Sequence, residues 1–298
     1  MKRILLVLSM LAIGLWGYAQ SVELSATGLP ATTLKNNAGD EYGKGSMQKY
    51  KARISAPFYY KKDSLGRINL WSLTAAGSLG VFSNSGEANG MTPSRIMNTS
   101  LALTHVMPMG RTWSLMAQLG AGVYGEPTNI RWHTVLLRGG AILAHRFGSR
   151  LNAGLGASFT TLYGSPIVIP AVMVQYDDHH TYTLDLTVQS GANITAGMRL
   201  SDALAVKLTA FEWKSLPAVV RRNGHWRVYS STMFRSYIAP ELHFAKNSWL
   251  SVQAGYNYHR SATLKKRRPS SFLGHIPDRD NREFKPSLLL GATLHIGL

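Results

Sequence analysis

The sequence predicts an all-β chain, an antiparallel transmembrane β-barrel of about fourteen strands, with twelve as the alternative if its first segment is not a strand. Three observations carry this. Long segments alternate apolar and polar residues with a period of two, and no stretch after the N-terminal run shows a helical period. The connections between these segments alternate short and long along the chain. The segments run to about 10–14 residues, nearer the length a tilted strand needs to cross a bilayer than the roughly 5–6 of a soluble sandwich.

The N-terminus comes first. Lys2 and Arg3 precede a mostly apolar run, Ile4 to Leu15, and Gly17-Tyr18-Ala19 is a small-x-small site. This is the pattern of a signal peptide over residues 1–19, cleaved after Ala19, and the run is short for a spanning helix. Residues 20–298 are then a single barrel domain of an exported protein. The chain has no cysteine, which excludes disulfides, thiol catalysis, Cys-ligated metals and an acylated-cysteine anchor. Its charged fraction, 16%, is low against the roughly 25% usual in soluble domains.

The first strand is placed at about Val22–Leu29. Further alternating segments are Trp113–Val123, Leu151–Tyr163, Tyr182–Val188, Ala192–Leu200, Phe234–Phe244 and Trp249–His259. Short turns fall at Asp63–Arg67, Pro108–Arg111, Gly148–Arg150, Asp177–His180, Ser201–Ala203 and Lys246–Ser248. Loops fall at Ser83–Ser94, Glu126–Arg131, Lys214–Val228 and Thr263–Phe284, with Gly164–Pro166 and Gln189–Gly191 as shorter members. The last segment, SLLLGATLHIGL, has an apolar residue at every even position from Leu288 to Leu298. Such a strand must pair with the first, because an unpaired edge cannot face lipid.

These features together resemble Gram-negative outer-membrane β-barrels. The resemblance implies tight periplasmic turns, longer extracellular loops, outer-membrane lipid around the wall, and a terminal strand read by the barrel-insertion machinery. Leu298 departs from the aromatic residue usual at that end. The Ala19-Gln20 junction and the style of the strands are similar to Bacteroidota-type barrels of an uncharacterised family.

Strand parity points Lys51, Arg53, Arg138, Arg199, Lys207, Arg235 and His295 into the lumen, with Asp185, Glu241, Gln253, Asn257 and His259. The excess of basic groups suits a pore or binding lumen for small polar or anionic solutes. A plugged interior, in which Arg235, Glu241 and their neighbours pair across the wall, is the alternative, and a barrel of this size permits either. Lys265-Lys266-Arg267-Arg268 and Arg221-Arg222, with Arg227 beside Trp226, are placed on outer loops, where they suit glycolipid phosphates or a protein partner. The net charge of +17 includes Lys2 and Arg3 and is not read as nucleic-acid binding, because the chain is exported.

His259-Arg260-Ser261 resembles the His-x-Ser pair of outer-membrane lipid hydrolases, where the histidine is base to the serine. By parity it faces the lumen, and no orienting acid can be assigned by spacing, so no enzymatic activity is expected, with an outer-membrane lipid hydrolase using His259 and Ser261 as the further alternative. Asp177-Asp178-His179-His180 reads as a polar turn rather than a metal site, because adjacent strand residues point to opposite faces. Asp278 and Asp280 lack the pattern of a calcium loop. Gly120-Ala-Gly122 matches a dinucleotide fingerprint by letter only, within a strand. No cofactor or metal is expected. Trp71, Trp113, Trp132, Trp213 and Trp249, with Tyr163, Phe244, Tyr256 and Tyr258, are assigned to interfacial girdles.

N-terminal sequencing of the protein recovered from membranes is expected to begin at Gln20. A sequence that begins before Ile4 would mean that the apolar run is retained.

Overall fold

Alternation of this kind places one face of every strand in an apolar medium and leaves the other for polar contacts. The computed structural model describes residues 21–36, 38–272 and 282–297, and the predicted signal peptide and the Asp278–Asp280 stretch lie outside them. The wall is built from β1 (Ser21–Lys35), β2 (Glu41–Lys62), β3 (Ile68–Asn84), β4 (Arg95–Pro108), β5 (Trp113–Gly125), β6 (Val135–Phe147) and β7 (Leu151–Thr160). It continues through β8 (Ile167–Asp177), β9 (Tyr182–Val188), β10 (Ala192–Arg199), β11 (Leu204–Arg222), β12 (His225–Ala245) and β13 (Ser248–Ser261). Two short strands, β14 (Thr263–Lys266) and β15 (Glu283–Phe284), precede the last wall strand, β16 (Ser287–Gly297). A one-turn helix, α1 (Ala88–Met91), sits between β3 and β4.

Neighbouring wall strands pair antiparallel in sequence order, and β16 lies between β13 and β1. The register Ser21↔Gly297 to Gly28↔Leu290 closes the ring. Sixteen strands less the two short ones leave fourteen in a closed wall. The first strand is longer than Val22–Leu29 and runs on to Lys35. Outside the wall, Leu101, Leu119, Leu155, Leu208, Leu288 and Leu290 are all more than half exposed, an apolar belt suited to hydrocarbon.

The predicted loop at Lys214–Val228 is a correction. No loop is there. β11 and β12 continue as one hairpin, paired without interruption from Glu212↔Arg235 to Arg222↔His225. The turn is Asn223-Gly224 with φ of 51° and 79°, the conformation of a two-residue I′ turn, which Asn-Gly adopts most readily. That dipeptide was the available signal. It was obscured because Leu216, Ala218, Val219 and Val220 are all at most 2% exposed, so the period-two pattern disappears.

The reason is the hairpin's path. It leans across the lumen until Val219 meets Gly125 of β5 in a parallel bridge, although β6 to β10 stand between β5 and β11 around the wall. One face packs Leu216, Ala218, Val220, Tyr229 and Met233 against Leu29, Met47, Phe82 and Ile96 of β1 to β4. The other packs Val219 and Val228 against Tyr124, Leu136, Leu162 and Tyr163. An element buried on both faces carries no polar stripe.

The inward glycines Gly120 and Gly122 have a packing cause. A Cβ on Gly122 would stand 2.1 Å from the carbonyl oxygen of Thr99 and 2.9 Å from Ser100 Cα, both backbone of β4. The two strands are coiled too closely for a side chain. Gly122→Val is therefore expected to prevent formation of the closed barrel, read as loss of the compact, heat-modifiable band in semi-native electrophoresis. Normal migration of that variant would show that β4 can shift.

Candidate functional site

The lumen is polar where the hairpin does not fill it. From the end carrying the short turns, a cavity of about 1060 Å³ reaches inward between β9 and β13. Its lining starts at His180, Ser201 and Asp202 and ends at Glu212 and Lys214. At the opposite end the hairpin and the loops close the barrel with the two apolar clusters described above.

The inward residues read from parity are placed as follows. Arg199 bonds Asp177 at 2.9 Å, and Lys207 bonds Glu241 at 2.9 Å. Arg138 donates to Ser100 Oγ at 3.1 Å. Lys51 bonds Glu23 at 2.6 Å, and Arg53 is the Cα partner of Glu23 on the neighbouring strand. Arg235 is buried and bonds Glu212, which also takes Lys214. Asp185 accepts from Gln175 Nε2 at 3.2 Å, and Gln253 donates to Thr293 at 3.3 Å. Ion pairs thus line the wall, as a plugged interior would have them, but they leave the turn-end cavity in place.

Glu212 and Lys214 escape a parity reading because of a bulge. Thr209 pairs Tyr237, and the next pair is Glu212↔Arg235, so the inward set changes from odd to even within β11. No single-residue signal marks this in the sequence.

A second bulge corrects His259. Arg235 pairs Asn257, but Phe234 pairs His259, which turns His259 to the outward face, stacked on Phe234 at 4.9 Å between centroids. An orienting acid is present as well: Glu283 Oε2 lies 2.9 Å from His259 Nδ1. Ser261 shares that face, opposite Glu283. Yet Ser261 is 3% exposed, and its Oγ accepts the Thr232 amide at 3.4 Å. The geometry is that of an ordered strand end, not of an exposed nucleophile with its base.

Three aromatic assignments also change. Trp249 faces the cavity, stacked on His295 at 5.3 Å, with Lys207 Nζ 5.5 Å from its ring. Trp132 opens a short 3₁₀ turn outside the wall and is 82% exposed. Tyr163 is buried in the loop cluster, where desolvation pushes its phenol up to about 12. Trp113, Trp213, Phe244, Tyr256 and Tyr258 are exposed on the outer face of the wall.

The loop cations are partly engaged in closing the barrel. Arg222 makes a bidentate pair with Glu126, at 2.7 and 3.0 Å, and ties the hairpin to the β5–β6 loop. The Glu126 carboxylate holds the Arg222 guanidinium above its ordinary value. Arg221 donates to the Gly224 carbonyl at 3.4 Å. Lys265 and Lys266 belong to β14, which pairs with β12 through Val228 and Arg227. Arg267 donates to the Leu162 carbonyl at 3.2 Å, and Arg268 precedes a short 3₁₀ turn.

Asp177–His180 is a turn. Asp178 Oδ1 accepts the amides of His180, Thr181 and Tyr182, at 2.8, 2.8 and 2.9 Å. Among the described residues no group of three acids or histidines could hold a metal.

A family model described as a domain of unknown function, DUF6268, matches residues 16–297. No curated protein matches in sequence. Among solved structures the chain is similar to an outer membrane channel from Pseudomonas putida F1, at 12% identity over 94% of this chain and 96% of that one, TM-score 0.48. It is also similar to the translocator domain of the autotransporter NalP from Neisseria meningitidis, at 14% identity, 96% and 92% coverage, TM-score 0.40. A third is the outer membrane protease OmpT from Escherichia coli, at 10% identity, 94% and 97% coverage, TM-score 0.29.

The amide bonds to Asp178, that of His180 foremost, hold its carboxyl below the usual range. A depressed folded value stabilises above the unfolded pKa and is lost as pH falls through the folded one. Hydrogen exchange at His180, Thr181 and Tyr182 is therefore expected to stay slow down to pH about 4, near the unperturbed value, and to accelerate below it. Asp178→Ala should be fast throughout, and protection unchanged by that substitution would remove Asp178 from the account.

Proposed function

We propose that this chain, which belongs to the DUF6268 family of unknown function, is a bacterial outer-membrane pore or binding lumen for small polar or anionic solutes, held shut at its outer end by the β11–β12 hairpin. The observation that carries this is the division of the lumen. A polar cavity of about 1060 Å³, a volume suited to small ligands, occupies the turn end, and among the described residues an apolar hairpin and loops block the other. The turn end is the periplasmic side under the usual barrel topology. The wall would persist without the upper hairpin, because the β10–β11, β11–β12 and β12–β13 pairings already hold below Lys214 and Thr232.

The bidentate Arg222–Glu126 pair is the polar latch of this closure. Partly exposed pairs are worth up to about 1 kcal/mol, so the latch biases the hairpin while the apolar clusters supply most of the hold. Solutes would enter past His180, Arg199 and Lys207 and meet a lining of mixed charge, in which Arg199, Lys207 and Lys214 alternate with Asp185, Asp202, Glu212 and Glu241.

A second role for the outer rim is favoured by one observation. Arg227 and Lys266 are Cα partners on adjacent strands, two cations side by side at the loop end, which suits phosphates of surface glycolipid.

The test is single-channel current in a planar bilayer under a salt gradient. Wild type is expected to be nearly silent. A variant with Ser215–Thr232 replaced by an Asn-Gly turn, which keeps Lys214 opposite Met233, should give discrete current steps. A folded variant that remains silent would refute the pore.

A further inference from the structure

We propose that the turn-side cavity is a binding site for a neutral polyhydroxylated solute, a short oligosaccharide, with Trp249 as its aromatic platform. The inference rests on the reading of the lumen given above and narrows its solute, and it is carried by the cavity's own lining.

The first observation is that the charges of this lining are already answered. Lys207 bonds Glu241 at 2.9 Å, Arg199 bonds Asp177 at 2.9 Å, and Lys214 shares Glu212 with Arg235. Asp185 is met by neutral donors, Gln175 Nε2 at 3.2 Å and Thr187 Oγ1 at 2.9 Å. A simple anion entering here finds each lining cation with a carboxylate beside it, and must break a pair to gain one. A small cation finds the carboxylates in the same condition, apart from Asp202 on the exposed turn. A neutral solute breaks nothing. Its hydroxyl groups both donate and accept, so they can use the donors and lone pairs that the ion pairs leave over. The Lys207 side chain is 41% exposed and keeps N–H groups for the cavity after Glu241 has taken one.

The second observation is the arrangement around Trp249. His243 and Trp249 are Cα partners across β12 and β13, and Glu241 and Ser251 are the next inward pair. Gln253 follows on β13, and all five line the cavity. Trp249 is half-buried and backed by His295, with 5.3 Å between ring centroids and 12° between planes, and Lys207 Nζ lies 5.5 Å from its ring. Ala205 and Ala239, the Cα partners of Glu241 and Lys207, keep this part of the wall free of bulk. An indole fixed in this way, with amide, imidazole and ammonium groups around it, matches the two sides of a sugar. The C–H face of the sugar ring lies against the indole, and the hydroxyls at its edge reach the polar groups. A cavity of about 1060 Å³ has room for about two or three such rings.

The experiment is isothermal titration of the full mature barrel, folded in micelles of a sugar-free detergent, with maltotriose, inorganic phosphate and putrescine. Maltotriose is expected to bind, and equally well at low and high salt, because no charge is neutralised. Phosphate and putrescine are expected to bind at least about tenfold more weakly. Trp249→Leu should weaken maltotriose about tenfold, and Trp249→Tyr should recover most of that, since an aromatic face and not bulk makes the contact. Gln253→Leu should weaken it about fivefold, the size of one hydrogen bond. Each variant is first checked for the electrophoretic signature of the folded barrel, and if Trp249→Leu does not fold, Gln253→Leu decides. Absence of maltotriose binding, or binding that no folded variant weakens, overturns the site. Tighter binding of phosphate or putrescine than of maltotriose overturns it as well. If the shortened-hairpin variant conducts while maltotriose does not bind, the site fails and the pore stands. If maltotriose binds and that variant stays silent, the pore fails and the site stands.

Discussion

A backbone N–H or C=O that faces hydrocarbon has no water to bond, and everything in this structure follows from that constraint. A sheet satisfies it only when it has no edge. The register from Ser21↔Gly297 to Gly28↔Leu290 removes the edge by joining the last strand to the first. With the backbone bonds fixed in the wall, each strand has one choice left, which residues go out and which go in. Leu288 and Leu290 go out, and Leu289 between them is fully buried in the lumen.

Closure creates the next problem. Fourteen strands enclose more space than wall side chains can fill, yet less than a wide aqueous channel. The chain fills the loop end with its own hairpin. Gly125 and Gly80 permit this: a Cβ on Gly80 would stand 2.7 Å from Leu216, and one on Gly125 would stand 3.1 Å from the Val219 carbonyl. Where the hairpin ends, polar residues begin, and the cavity is what remains. The apolar outer half and the charged inner half of the lumen are thus two consequences of one inserted element.

The charged half is organised around a carboxylate that could not stay ionised there alone. Glu212 is held by Lys214 and Arg235, and the bulge before it is what turns it inward. One acid there serves two bases, while further out the cavity lining adds Asp185, Asp202 and Glu241 beside Arg199 and Lys207. At the turn-end mouth the pairing is one to one: Arg199 has Asp177 and Lys207 has Glu241.

The sequence by itself determined the fold class, the alternation of turns and loops, and the need for the last strand to meet the first. These follow from a period of two, which lipid on one side imposes on every strand. Tertiary structure decided the rest. The hairpin across the mouth lost its period because both of its faces are buried, so only Asn223-Gly224 marked it. His259 and Glu212 changed sides because a bulge adds one residue to a strand and inverts its parity, and nothing local in the letters records an extra residue. Trp249 had the parity of a lumen residue, and its place beside His295 depends on a strand distant in sequence. The contact of Arg260 with the Gly45 carbonyl likewise joins strands from both ends of the chain, and only a closed ring brings those ends together.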